Sequence, residues 1–261
     1  SKSLPTSERF SRAAHLRLFL DVILSDFDRA VYLDSDILPL TDITPLLNAV
    51  PKSAPLIATH DLYVLLRGEY QDRLGMTGAY LNSGVMVLDL AAIRNEKTFE
   101  RALGYALEHP QRCVFVYQDP LNAILDGRWQ VLDWRWNAMS YLSELMPKAP
   151  FIRHFSGYKP WATDKRGIER RFVRQWRADL QESPWPGSFH EEPFPNRIRN
   201  IYSRVAGSFS HSAKGLIHVR AHDRRGDRAR LVRSFPKILS AIEDAASEGA
   251  VAAWPYLQDL K

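Results

Sequence analysis

The stretch Arg29-Ala30-Val31-Tyr32-Leu33-Asp34-Ser35-Asp36-Ile37 sets the architecture of this chain. Its first five residues form a short β-prone run without amphipathic alternation, which predicts a strand buried on both faces, as in a parallel sheet. Asp34 and Asp36 then leave that strand at its carboxyl end, where open α/β sheets bind ligands. Residues i and i+2 of a strand share one side, so both carboxylates can face a single cation. Hard oxygen ligands suit Mg²⁺ or Mn²⁺ carrying substrate phosphates. The plainer alternative is a strand end and a turn cap. Against it, a doubled carboxylate behind an apolar strand is costly unless something neutralises it.

Outward from this stretch, Phe10 to Ser25 places Leu16, Leu20, Ile23 and Leu24 at helical spacing before the polar break Asp26-Phe27-Asp28. Further strands are expected at Leu56 to His60, Ser83 to Leu88, Trp129 to Leu132 and Phe151 to Phe155. Helices are expected around Thr98 to Glu108 and Leu121 to Leu125. Strands alternating with helices predict an open α/β sheet. After Trp161 the texture turns to charged helical stretches and a Pro-rich link from Ser183 to Pro195, so a boundary is placed near residue 163.

The chain has 261 residues, 45% hydrophobic and 25% charged, enough for one large domain with a real core and against disorder. A formal net charge of +5 is too mild for a nucleic-acid partner. Its placement is uneven: residues 1–163 hold 17 basic and 18 acidic groups, residues 164–261 hold 18 and 12. That points the C-terminal third toward an anionic surface. Cys113 stands alone, so an intrachain disulfide and a zinc site built on thiolates are excluded, and a reducing, cytoplasmic compartment is expected. Apolar runs such as Tyr63 to Leu66 and Val85 to Leu88 fall far short of the roughly 20 residues that cross a bilayer.

Three other stretches can carry chemistry. His154 ends an apolar run and is followed by Gly157 and Lys159. An imidazole added to two carboxylates favours Mn²⁺ over Mg²⁺; the glycine lets backbone approach a phosphate and the lysine neutralises it. A satisfied structural histidine is the alternative. The triplet Asn82-Ser83-Gly84 precedes a buried strand and offers an amide and a hydroxyl to a sugar or a turn. Gln118-Asp119-Pro120 is polar where a core is expected, although Asp119 before Pro120 also reads as a helix N-cap.

These motifs, in this order from about Phe10 to Trp161, closely resemble glycosyltransferase family 8, the retaining nucleotide-sugar transferases that include bacterial lipopolysaccharide galactosyl- and glucosyltransferases and glycogenin. They are Leu16-Arg17-Leu18, Tyr32-Leu33-Asp34-Ser35-Asp36, Leu81-Asn82-Ser83-Gly84-Val85, Gln118-Asp119-Pro120-Leu121-Asn122, and His154-Phe155-Ser156-Gly157 before Lys159-Pro160-Trp161. The resemblance implies a GT-A fold, a Rossmann-like, mostly parallel sheet flanked by helices. It implies a UDP-galactose or UDP-glucose donor whose diphosphate is held by Mn²⁺, with Mg²⁺ as the other candidate, between Asp34, Asp36 and His154. It implies that Gly157 and Lys159 touch the diphosphate, that Arg17 and Ser35 belong to the donor site, and that Asp61, Asn82 and Gln118, with Asp119 beside them, face the transferred sugar. A glycan or glycolipid such as lipopolysaccharide is the implied acceptor.

The sequence departs from the family in three places. Tyr117 stands where members usually carry an acidic residue. A phenol with a pKa near 10 is no carboxylate nucleophile at neutral pH, which favours front-face transfer over double displacement. Only Tyr158 separates Gly157 from Lys159, where many members have a longer spacer. The family also normally begins with a further stretch that builds the uridine pocket, so the chain reads as a fragment of a longer protein. A catalytically inactive binding or scaffold homologue is one alternative. A haloacid-dehalogenase-like phosphohydrolase is another, although Ile37-Leu38-Pro39 replaces the expected continuation. Two catalytic roles thus remain beside one non-catalytic role.

Residues 1–163 are therefore expected to form the catalytic domain and 164–261 a mostly helical, basic C-terminal region. In the latter, Ile198, Ile201, Tyr202, Val205 and Phe209 recur at helical spacing beside Arg197, Arg199 and Arg204. Such a stripe either lies in the interface of an anionic membrane or packs on its own domain. The run His222 to Arg228 reads equally as a glycolipid contact or a loop.

Overall fold

The structure is a computed structural model that describes residues 12–65, 69–139, 148–157, 159–161, 170–186 and 225–249. The expected Asn196 to Phe209 helix, Tyr158 and residues 222–224 lie outside the described residues.

A four-stranded sheet forms the centre, in the order β1 (Arg29–Leu33), β4 (Leu81–Asp89), β3 (Leu56–His60), β5 (Gln130–Val131). A second sheet holds β2 (Ile37–Pro39), β7 (Ile152–His154) and β6 (Ala138–Met139) in the order β2-β7-β6. The helices are α1 (Leu20–Ile23), α2 (Thr44–Asn48), α3 (Leu62–Leu65), α4 (Glu69–Leu74), α5 (Leu90–Asn95), α6 (Thr98–Glu108), α7 (Gln118–Leu125), α8 (Arg170–Glu182) and α9 (Arg225–Glu248). The strand expected at Leu56 to His60 and the helix at Thr98 to Glu108 are found with those bounds.

In the central sheet β1, β3 and β5 run in one direction, and β4 runs antiparallel to both of its neighbours. Three of its four strands share one direction, but because reversed β4 lies between two of them, two of the three ladders are antiparallel and the sheet is mixed. That reversal matters for the site, because it brings the start of β4 to the edge where β1 and β3 end.

Side chains alternate across the sheet with the strand period of two. Ala30, Tyr32, Leu56, Ala58, Met86 and Leu88 join the core under Phe99 and Ala102 of α6 and Leu121 and Leu125 of α7. Val31, Leu33, Ile57, Val85 and Val87 pack on the other face, with Leu46 of α2 and Ile152 of β7. At roughly 1.5–3 kcal/mol for each large apolar side chain buried, these two layers dominate the stabilisation of the fold. β1 is only partly buried because it is the edge strand among the described residues, not an interior strand as its apolar run implies.

The first helical stretch departs from expectation. Arg12–Phe19 winds as a 3₁₀-helix, and α1 follows. With about three residues per turn, the inward positions become His15, Leu18 and Asp21, all buried. Leu16 and Ile23, expected on the inner face, are 57% and 59% exposed.

Beyond residue 163 two helices pack back onto the sheets. Phe172 of α8 sits with Leu38 and Phe155. Ile238, Leu239 and Ile242 of α9 enter the main core, and Glu243 accepts a hydrogen bond from the Trp134 indole at 2.8 Å. No helix among the described residues is long and apolar enough to cross a membrane.

Candidate functional site

Three strand ends bring the predicted metal ligands together. β1 delivers Asp34, β2 starts immediately after Asp36, and β7 ends at His154, which pairs with Ile37 across the β2–β7 ladder. Backbone bonds fix the turn between β1 and β2: Asp34 N–H donates to the Gly84 carbonyl and Phe155 N–H to the Asp36 carbonyl, both at 2.8 Å. The three residues offer ligand atoms that all lie within 4.8 Å of one another. His154 Nε2 stands 3.4 Å from Asp36 Oδ1 and 3.8 Å from Asp34 Oδ2.

The hydrogen-bond network determines which imidazole nitrogen is available. The Asn137 amide nitrogen donates to Thr59 Oγ1 at 3.0 Å and to Asn82 Oδ1 at 2.9 Å, so the Asn137 oxygen faces His154. His154 Nδ1 must therefore carry the hydrogen in its 2.7 Å contact with that oxygen. This leaves Nε2 as the nitrogen that faces the two carboxylates, the arrangement that orients a metal-bound histidine. One imidazole nitrogen and two carboxylates suit a divalent first-row ion, so the donor set fits the implied metal.

Gly84 makes this placement possible. A Cβ built at Gly84 would lie 2.4 Å from Cε1 and 2.7 Å from Nδ1 of His154. The glycine lies in a bulge: β3 pairs Ala58 with Met86 and then Thr59 with Asn82, so Ser83 to Val85 bow out of the ladder. Backbone groups released there are taken by site side chains. Gln118 Oε1 accepts from Ser83 N at 3.0 Å, and Arg17 Nη1 donates to the Ser83 carbonyl at 3.2 Å. The triplet Asn82-Ser83-Gly84 thus lies inside β4 instead of ahead of it, and every member is polar or small for a reason.

From His154 the bonds run in a continuous chain to Asp34. Asn137 passes to Asn82, and Asn82 Nδ2 donates to Asp61 Oδ2 at 2.9 Å. Gln118 Nε2 donates to the same Asp61 oxygen at 2.9 Å, and its Oε1 accepts from Ser83 Oγ at 3.2 Å. Arg17 Nη1 donates to Ser83 Oγ at 3.1 Å and its Nη2 pairs with Asp34 Oδ1 at 2.9 Å. Asp61 is held further by the Tyr63 and Val64 backbone N–H groups, each at 3.1 Å.

Two cations border the carboxylates. Lys159 Nζ donates to Asp36 Oδ2 and, at 2.9 Å, to the Phe155 carbonyl. Burial disfavours the Asp36 anion, but the bonds and charges of His154 and Lys159 outweigh it and hold the carboxyl well below its usual range. On the other side Arg17 pairs with Asp34, whose Oδ1 also accepts from the Tyr32 hydroxyl at 2.8 Å. Burial, the largest influence, pushes the Tyr32 phenol well above its ordinary pKa, so it stays a donor.

Asp119 occupies a different position from the one expected. The helix begins earlier than the N-cap reading requires: its N-cap is Tyr117, and Asp119 lies within its first turn. Fully buried, Asp119 accepts from the Tyr80 hydroxyl, from Phe115 N at 2.8 Å and from Arg73 at 3.1 Å. Burial raises its pKa despite these bonds. Tyr80 OH also accepts from Gln118 Nε2 at 3.4 Å, so Asp119 is linked to that chain through Tyr80. Ser35 and Gly157 lie exposed on the turns after β1 and β7. Asn137 and the Tyr32 hydroxyl are site groups that sequence reasoning missed. Asn137 follows Trp134-Arg135-Trp136 with no local mark, whereas Tyr32 was visible as a phenol in an otherwise aliphatic strand.

A mixed sheet with three strands in one direction and one reversed, with Asp34 and Asp36 beyond the end of β1 and His154 brought to them by the second sheet, has the GT-A fold. The chain belongs to Glycosyl transferase family 8, whose family model matches residues 1–165. General stress protein A of Bacillus subtilis is 30% identical over 61% of this chain and 63% of its own length. A lipopolysaccharide 1,2-glucosyltransferase of Escherichia coli is 28% identical over 70% of this chain and 58% of its own. Among solved structures, the galactosyltransferase LgtC in complex with donor and acceptor sugar analogs superposes with a TM-score of 0.61 at 23% identity, covering 74% of this chain and 73% of that one. The chain thus spans about three fifths of the length of these two curated relatives. Family membership sets aside the phosphohydrolase alternative.

Proposed function

We propose that this chain is a retaining glycosyltransferase that moves a hexose, galactose or glucose, from a UDP-sugar to a glycan or glycolipid acceptor such as lipopolysaccharide. The observation that carries this reading is the continuous hydrogen-bonded chain that joins His154 through Asn82, Asp61 and Gln118 to Asp34. It couples a cation site to a cluster of sugar-directed groups at one sheet edge. Asp34, Asp36 and His154 would hold Mn²⁺, which supplies Lewis-acid neutralisation of the diphosphate when bound. Arg17 and Lys159 add fixed positive charge where the departing UDP develops negative charge. Asp61, Asn82 and Gln118 orient the hexose. With Tyr117 in place of a carboxylate, the transfer runs on the front face, and the leaving phosphate takes the acceptor proton.

Calorimetric titration of UDP with and without Mn²⁺ tests the reading. UDP should bind only with Mn²⁺, and Asp36→Asn should abolish that binding while leaving the melting temperature close to the parent's. His154→Ala should weaken Mn²⁺ more than Mg²⁺. UDP binding that ignores both metal and Asp36 would overturn the assignment. Absence of UDP binding would favour the binding-protein alternative.

On the same reading residues 1–163 form the catalytic domain. Residues 164–261, with 18 basic and 12 acidic groups, form a basic region that meets an anionic membrane from the cytoplasmic side. Co-sedimentation with anionic but not neutral vesicles is the expected outcome.

A further inference from the structure

Tyr117 is the position at which this chain abandons its family's acidic residue, and the structure gives the tyrosine a definite contact. Its ring lies 3.7 Å, centroid to guanidinium carbon, beneath Arg17, closer than the 4.8 Å to the Tyr32 ring. Arg17 in turn makes four polar contacts from this position. Nε donates to the Ala14 carbonyl at 3.1 Å, Nη1 reaches the Ser83 carbonyl and hydroxyl, and Nη2 pairs with Asp34 Oδ1. Arg17 and Tyr32 together occupy Asp34 Oδ1, so Asp34 Oδ2 is the oxygen presented toward His154.

We propose that Tyr117 is a positioning residue: its ring is the platform that holds the Arg17 guanidinium flat, and through Arg17 it fixes both the cation of the donor site and the orientation of Asp34. The inference rests on the UDP-sugar reading above for its functional consequence, but the platform itself is independent of any ligand. Three geometric points support it. A guanidinium is planar and weakly hydrated, so an aromatic face is its natural support. The neighbours of Arg17 in its 3₁₀ segment do not supply that support, for Leu16 is 57% exposed and Leu18 turns into the main core. Tyr117 is also the N-cap residue of α7, directly before Gln118, so the ring and the sugar-directed amide move as one unit. A carboxylate at 117 would pair with Arg17 and compete with Asp34 for it; the ring supports Arg17 without that competition.

The test compares Tyr117→Phe, which keeps the ring, with Tyr117→Leu, which removes it, each alone and with Arg17→Met. With ¹⁵N-arginine labelling, the Arg17 Nε–H resonance, assigned by its loss in Arg17→Met, should carry a large ring-current shift in the parent and in Tyr117→Phe and a much smaller one in Tyr117→Leu, where the Tyr32 ring at 4.8 Å is left. With Mn²⁺ present, UDP should bind about ten-fold more weakly to Tyr117→Leu, in line with a desolvated cation–π contact, and within about two-fold of the parent to Tyr117→Phe. In the Arg17→Met background the leucine substitution should add almost nothing. An unshifted parent resonance would overturn the proposal, as would a leucine penalty that persists in full without Arg17. If the parent binds no UDP, the donor reading fails while the resonance still decides the platform.

Discussion

Replacing Gly84 by alanine puts the geometry of the candidate metal site under direct strain. The added methyl would sit 2.4 Å from His154 Cε1 and 2.7 Å from Nδ1, against roughly 3.5–4.0 Å for ordinary carbon contacts. The ring has little room to retreat, because Asn137 holds Nδ1 at 2.7 Å and β7 is paired on both sides, by β2 and β6. Relieving an overlap of more than about 1 Å means moving the imidazole, at an overpacking cost of about 1–3 kcal/mol. Lost orientation of a metal-binding histidine typically lowers affinity by about 10- to 100-fold. Gly84→Ala should therefore weaken Mn²⁺ binding by at least about ten-fold in calorimetry and lower unfolding stability by about 1–3 kcal/mol in urea melts. The control is His154→Ala, which removes the ring the methyl would strike. In that background Gly84→Ala should cost much less, with the 3.0 Å approach to Asn82 Oδ1 as the remaining contact. A Gly84→Ala protein with unchanged Mn²⁺ affinity and stability, or a penalty undiminished by His154→Ala, would refute the reasoning.

Asn137→Leu removes the acceptor of the His154 Nδ1 hydrogen and the donor to Asn82; Mn²⁺ affinity should fall about ten-fold, measured by calorimetry. His60 is buried against Trp129, and burial pushes its pKa down to about 3, so between that value and the ordinary 6.5 the unfolded chain binds a proton that the folded chain refuses. Its contribution to stability is complete above pH 6.5 and shrinks as pH falls toward 3; His60→Leu should flatten that acid-side slope in urea melts between neutrality and about pH 4. Burial pushes the Cys113 thiol up to about 12, so the native protein should resist iodoacetamide at mildly alkaline pH, and rapid alkylation without denaturant would contradict the burial seen here.

Much of the site was legible because its signals are local. A strand advertises itself by composition, and the i, i+2 spacing of Asp34 and Asp36 marks them as a pair, although they meet across the turn between β1 and β2 and not along a pleated strand. His154 and Lys159 stand out as polar groups closing an apolar run. The helix of Thr98 to Glu108 is visible from Phe99, Ala102 and Ala106 at helical spacing, the same side chains that pack into the core. The sequence leaves Asp119 open between a cap and a site group because an Asp-Pro pair satisfies N-cap chemistry wherever the helix actually starts. Leu16 faces solvent because the backbone there winds with three residues per turn and not 3.6, and that winding also sets the phase in which α1 presents Ile23.

What the sequence by itself determined, then, is the alternation of strands and helices, the chemistry of the ligand set and the family. The tertiary structure decided the direction of β4, the bulge over Ser83 to Val85, the tautomer of His154 through Asn137, and the stack of Arg17 on Tyr117. The physical reason is range. Period and composition are set by forces acting within a few residues, whereas strand direction and hydrogen-bond closure join groups such as Arg17 and Ser83, or Asn82 and Asn137, that are brought together only when the core layers pack.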